Sequence, residues 1–165
     1  MNVSRQAVSR RRFGRLLAAA AGSVLLLPVC VRASEGVLHR ALADSVGLAR
    51  RFRWARTPPR RSRLRAAGAF SRITVHHEGG TVNRHRSAAD VAADLRHIWA
   101  GHTRRGYGDI GYHFLVDYAG RLWEGRPLIY EGAHVAGHNP GNLGIALLGN
   151  FEEQRPTTQQ LSTLS

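Results

Sequence analysis

Arginine and histidine are segregated along this chain, and the segregation limits where a folded domain can sit. Residues 1–67 carry 15 arginines against two acids, Glu35 and Asp44, whereas residues 68–165 carry nine arginines against nine acids. Eight of the nine histidines fall in that second, neutral part. The formal charge of +13 would suit phosphate binding, but it belongs to the first 67 residues. This distribution argues against a nucleic-acid partner and for one His- and Gly-rich domain carrying site chemistry. A length of 165 residues allows one domain of ordinary size. The single cysteine, Cys30, excludes an intrachain disulfide framework and an all-thiolate zinc site.

The N-terminus reads as an address. Ser9-Arg10-Arg11-Arg12-Phe13-Gly14-Arg15 precedes an apolar run from Leu16 to Val29, and Val31-Arg32-Ala33 offers small residues for cleavage after Ala33. A charged start, a short apolar run and a small-residue site make an export signal. The Arg pair followed by Phe13 resembles the twin-arginine type. A membrane anchor fits less well, because a run of that length rises roughly 21 Å as a helix against a bilayer core of about 30 Å. Leu27-Pro28-Val29 before Cys30 is a poor lipobox, which argues against a lipoprotein. The expectation is a signal over 1–33, export to the periplasm or extracellular space, and no membrane span after cleavage.

Residues 34–67 read as an Arg- and Pro-rich linker. Val37 to Leu48 can form a short amphipathic helix, and Arg50 to Arg61 is broken by Pro58-Pro59. The stretch is either a solvated tether or a contact for anionic polymers of the cell envelope, and its spacing does not decide between them.

The domain is expected over 68–165. Arg72-Ile73-Thr74-Val75 is β-branched and leads into His76-His77 and a Gly-rich loop. Neighbouring strand residues face opposite sides, so one histidine of the pair can enter a given site. Ser87 with Asp90 signals a helix start, and Val91, Leu95, Ile98 and Trp99 form one apolar stripe ending near Gly101-His102. Ile110 to Asp117 reads as a strand with Tyr112, Phe114 and Val116 on one face. A turn at Asp117 to Gly120 returns Arg121-Leu122-Trp123-Glu124 as its partner. Glu131 to Asn139 is a loop carrying His134 and His138, and Gly144 to Gly149 is a short apolar strand of central type. The order implies an α/β or α+β fold with a mixed sheet.

Three of these stretches, ITVHHEGG, GYGDIGYHFLVDYAGRLWEGR and GAHVAGHNPGNLGIALLGNF, together resemble the peptidoglycan recognition proteins and the related zinc amidases of the bacteriophage lysozyme type. The resemblance spans roughly Phe70 to Ser165. It implies a mixed central sheet flanked by helices, a groove for peptidoglycan or muropeptides, and a monomer. It also implies a Zn2+-dependent N-acetylmuramoyl-L-alanine amidase, which cuts between the lactyl group of muramic acid and the stem peptide. On this resemblance His76 matches a zinc ligand, and Tyr112 matches a catalytic tyrosine beside the metal-bound water and the scissile carbonyl. His102 and His134 match substrate-binding positions of the groove, and Asn139 and Asn142 match the loop that shapes it. His138 stands where the recognition proteins usually have tyrosine.

These residue types suit the chemistry on their own account. Zinc lowers the pKa of bound water to about 7, and one well-placed hydroxyl on an oxyanion contributes roughly 3 kcal/mol. The family's other two ligands, a His and a Cys or Asp, follow the next helix. The remaining ligands are therefore expected beyond Ser165, in a domain incomplete at its C-terminus. Pro156 to Ser165 opens that helix, with Thr157 as cap and Gln160 three residues on. A muropeptide-binding module of the same fold, without catalysis, is the alternative function.

Overall fold

The structure, a computed structural model, describes Asp44 and residues 46–165. The expected leader, Cys30 and the linker before Asp44 lie outside the described residues. One compact unit runs from Leu48 to Thr163. Of the other unit, the described residues include Asp44 and Gly47, whose backbone closes a turn through Gly47 N–H donating to Asp44 O at 3.2 Å.

Four strands form one mixed sheet in the order β1-β4-β2-β3. Strand β1 is Arg72–His77, β2 is Phe114–Val116, β3 is Leu122–Glu124 and β4 is Asn142–Leu147. Strand β4 is parallel to both β1 and β2, while β2 and β3 form an antiparallel hairpin. The turn between them uses Gly120 at φ 84°, and Asp117 holds it by accepting from Ala119 N–H and Arg121 N–H at 2.9 and 3.0 Å. The central apolar strand expected from Gly144 onward is therefore β4, buried at every position.

Helix α1, Ala88–Arg104, starts where Ser87 Oγ accepts from Asp90 N–H at 3.1 Å. Its stripe lays Val91, Ala92 and Leu95 on Leu115, Trp123, Ala146 and Leu148, with Ile98 and Trp99 at the edge of that core. Each fully buried aliphatic side chain of this kind stabilises the fold by about 1.5–3 kcal/mol. The helix runs past the expected end at Gly101-His102. Its stop is Gly106, at φ 91°, whose N–H donates to Thr103 O at 3.1 Å. His102 consequently sits in the last helical turn and is buried.

Two further expectations change. The strand read over 110–117 is regular only at Phe114–Val116. Before it, Gly111, Tyr112 and His113 exchange backbone bonds with Ala133, Arg126, Gly125 and Gly144, which breaks the two-residue alternation. Tyr112 therefore packs with the cluster that holds Leu115, not on a face shared with Phe114 and Val116. The second change concerns the linker, because its residues from 48 onward belong to the packed unit. Trp54 is 2% exposed in the core, and its Nε1–H donates to Glu124 O at 2.7 Å. Arg51 reaches Asp109 Oδ1 at 2.9 Å, and bridges pair Ala49 with Trp123 and Ala66 with Tyr130. An Arg-rich composition hid one tryptophan and one buried ion pair.

The short helix α2, Thr158–Thr163, carries the expected cap: Thr157 Oγ1 accepts from Gln160 N–H and Gln160 Oε1 from Thr157 N–H, both at 3.0 Å. A helix this short is marginal alone. Here buried Gln160 donates from Nε2 to Leu148 O and Val116 O at 3.0 and 3.3 Å, which docks the helix on the sheet. No helix among the described residues is long and apolar enough to cross a membrane.

Candidate active site

The end of β1, the last turn of α1 and the loop 132–141 meet around a cavity of about 640 Å³. His102, Tyr112, His134 and Asn139 line it, together with Arg105 and Glu78. Along β1 the two adjacent histidines part as the alternation requires. His76 turns toward the site, with its Nε2 3.1 Å from His134 Nδ1. His77 turns away, accepts at Nδ1 from Phe151 N–H at 2.9 Å and stacks on the Phe151 ring.

His134 is held from three sides. Its Nε2 lies 3.1 Å from Asn142 O; a carbonyl can only accept, so Nε2 carries the proton and Nδ1 presents a lone pair to His76. Its backbone N–H, and that of Val135, donate to Asn139 Oδ1, both at 2.9 Å. The ring lies against Gly132 and Gly144, where an added Cβ would collide with it. A glycine inside a central strand is thus explained by close approach of an imidazole. Burial is the main cause that lowers the pKa of His134 and of His76, so both rings are held neutral.

His102 accepts from Gly111 N–H at Nδ1, at 2.8 Å, which leaves Nε2–H as the ring's donor. Burial first, then Arg105 and Arg126, lowers its pKa to about 4. Tyr112 stands between these imidazoles, its ring centroid 5.7 Å from both His76 and His102 and 6.3 Å from His134. Burial, then the charge of Glu78, raises the pKa of Tyr112, so the phenol keeps its proton and remains a hydrogen-bond donor at neutral pH.

The structure therefore brings His76, His102, Tyr112, His134 and Asn139 together. It places Asn142 behind them: buried at the start of β4, it is not among the cavity's lining residues, and its carbonyl orients His134. Through that carbonyl Asn142 supports the His134 ring. His138 contributes its carbonyl, accepting from Asn142 Nδ2 at 3.1 Å. Arg105, Tyr107 and Glu78 also line the cavity and were not anticipated; the polar, Gly-containing loop after α1 was the only signal for the first two.

Zinc, implied by the resemblance, needs three protein ligands at a catalytic centre. His76 Nε2 and His134 Nδ1 converge, but no group of three His, Cys, Asp or Glu side chains among the described residues could hold a metal ion. The described residues do not by themselves make a zinc centre.

Residues 66–165 match the family model of N-acetylmuramoyl-L-alanine amidase. The chain belongs to that amidase family. It is 33% identical over 115 residues to a human N-acetylmuramoyl-L-alanine amidase, covering 69% of this chain and 20% of the human protein. This chain thus spans about a fifth of that relative's length. The crystal structure of a Drosophila peptidoglycan recognition protein, SD, superposes with a TM-score of 0.64 at 28% identity, over 70% of this chain and 68% of that one. A complex of recognition proteins LCa and LCx with tracheal cytotoxin gives a TM-score of 0.63 at 30% identity, over 70% of this chain and 69% of that one. The mixed α/β fold and the family expected from the three motifs are those of these proteins.

Proposed function

We propose that this protein is an exported amidase that binds peptidoglycan along the His- and Tyr-lined cavity and hydrolyses the bond between the lactyl group of muramic acid and the stem peptide. The observation that carries the reading is the placement of a protonated Tyr112 between His76 and His102 at the cavity wall. Amide hydrolysis builds negative charge on the carbonyl oxygen, and a preorganised hydroxyl donor in a half-buried site stabilises that charge. His102, held neutral with Nε2–H as donor, suits binding of the substrate's carbonyl and hydroxyl groups, and His134, hydrogen-bonded through Nδ1 to His76 Nε2, is held neutral at the cavity wall. Zinc belongs to this proposal with His76 as one ligand; when bound it would supply polarisation of the carbonyl and a more acidic water. The twin-arginine-type leader supports export, which delivers the protein to its polymer. The relatives named for amidase activity and for peptidoglycan recognition support the substrate class.

The alternative, a recognition module without catalysis, draws on the lack of a three-ligand cluster among the described residues. Incubation with a purified muropeptide in the presence of zinc, followed by chromatography of released stem peptide, separates the two. The amidase reading expects release, an approximately 100-fold lower kcat in Tyr112→Phe with affinity kept, and loss of turnover in His76→Ala. Tight muropeptide binding with no release establishes the recognition module instead.

A further inference from the structure

Arg126 is 4% exposed and lines a second cavity, of about 320 Å³, with Arg63 and Arg65. It takes no part in the wall of the first cavity. Its guanidinium donates to three carbonyls: Nε to Ile110 O at 2.7 Å, Nη1 to Glu131 O at 2.6 Å and Nη2 to Asp109 O at 3.2 Å. Its backbone N–H donates to Tyr112 O at 2.8 Å. The charge of the Asp109 carboxylate, which pairs with Arg51 at 2.9 Å, acts on the same guanidinium and offsets part of the cost of its burial. These acceptors lie on two stretches, 109–112 and 131–134, that end in Tyr112 and His134. One residue before those ends the stretches are joined directly, because Ala133 N–H donates to Gly111 O at 2.9 Å. A Cβ at Gly111 would collide with Ala133 O, so the two backbones are in close contact there. The guanidinium adds a second link, between Ile110 and Glu131, and the two links together fix how far one stretch can slide along the other.

We propose that Arg126 is a positioning residue for the amidase site, holding Tyr112 and His134 in register through the carbonyls of Asp109, Ile110 and Glu131. The inference rests on the amidase reading and adds to it a residue outside the cavity that binds substrate. A buried charge adds little stability over an apolar side chain of similar volume. A planar fork with donors in fixed directions sets a geometry that a flexible ammonium cannot. The Tyr112 and His134 rings, 6.3 Å apart, extend from the ends of the clamped stretches. A misplacement of about 1 Å at a reacting centre can cost up to roughly 100-fold in rate, so the register of these two stretches bears directly on turnover.

The test follows the NMR signals of 13C-labelled tyrosine and histidine rings in two variants. Arg126→Lys keeps the charge without the fork, and Arg126→Met keeps the bulk alone; whichever unfolds cooperatively in denaturant is read. The Tyr112 and His134 signals are expected to shift, while Tyr118, under Arg86, and His85, on Asp94, stay as internal references. Turnover of muropeptide in the presence of zinc is then compared across a double-mutant cycle. The Arg126 variant should lower kcat about tenfold in the unaltered background and less than about twofold beside Tyr112→Phe, because it acts through that hydroxyl. Unmoved Tyr112 and His134 signals in a folded variant overturn the proposal. So do equal losses of kcat in the two backgrounds, or unfolding of both variants, either of which would make Arg126 a support of the fold alone. An unaltered protein that releases no stem peptide overturns the amidase reading instead, and the ring signals still decide for or against Arg126.

Discussion

Residues 48–67 and the loop 132–141 both wall the cavities, yet they handle ionisable groups in opposite ways. The first segment turns six arginines, Arg53, Arg56, Arg60, Arg61, Arg63 and Arg65, to solvent with no acid partner among the described residues. It is anchored by Trp54 and the Arg51–Asp109 pair. The loop tucks His134 under the sheet's lip between two glycines and keeps it neutral. Long-range attraction needs charge that stays in water, while acid–base and ligand chemistry needs lone pairs fixed away from it. One small domain supplies both by giving each segment its own mode of attachment.

The largest expected effect tests whether the Arg-rich segment is structural. Trp54→Ala removes a core indole and its bond to Glu124 O. A loss of about 3–5 kcal/mol is expected, read as a fall in the denaturant midpoint with an unchanged slope. A change below about 1 kcal/mol would return the segment to the status of a tether.

Gly144→Ala probes the other side of the comparison, and here the sign is diagnostic. Adding a methyl at a strand glycine ordinarily stabilises by roughly 0.5–1 kcal/mol. At Gly144 the new Cβ would meet the His134 ring, so a loss of about 1–3 kcal/mol and weaker muropeptide binding are expected. Stabilisation with binding intact would show that His134 is not held by this contact.

These two residues also mark how far the sequence was legible. The strand-end histidines, the Ser87 cap, the Asp117–Gly120 turn and the Thr157–Gln160 box were readable because each is a pattern over a few residues. So was the division between His76 and His77, which follows from strand alternation alone. Trp54, Arg51 and Asp109 were not readable. The bonds of Arg51 to Glu124, Gly125 and Asp109 and of Trp54 to Glu124 span 58 to 74 residues, and no local periodicity reports a contact of that span. Tyr112 was assigned to the wrong face because its alternation is interrupted by backbone bonds from the loop after β3. The role of Asn142 as a support for His134 likewise depends on a fold-level neighbour.

Acid should destabilise the domain through its buried imidazoles. His102 and His113 both have pKa values lowered to about 4, by burial first. His113 is fully used, accepting at Nδ1 from Gly144 N–H at 3.0 Å and donating at Nε2 to Tyr130 O at 3.0 Å. The folded pKa lies below the unfolded value of about 6.5, so the unfolded chain binds more protons as pH falls. Stability is complete above pH 6.5 and is lost toward pH 4, by up to about 3 kcal/mol for each ring. Chemical denaturation at pH 7, 5.5 and 4.5 checks it; a flat profile would mean that these rings are not buried neutral.

The smallest effect has the opposite sign and comes from an exposed histidine. His85 Nδ1 lies 2.7 Å from Asp94 Oδ2, and this hydrogen bond, then the charge of Asp94, raises its pKa. A raised folded pKa contributes stability that is fully present below the unfolded value and lost as pH rises through the folded one. The pair is solvent-exposed, its His85 side chain 54% accessible, so screening limits its worth to at most about 1 kcal/mol. His85→Gln should therefore lower stability more at pH 5.5 than at pH 8, because the contribution of the pair is lost as pH rises through the raised folded pKa. The same substitution should steepen the acid loss attributed to His102 and His113, because it removes the one histidine whose protonation favours the folded state among those with a resolved shift. An equal loss at both pH values would show that the ring is held by the neutral hydrogen bond alone.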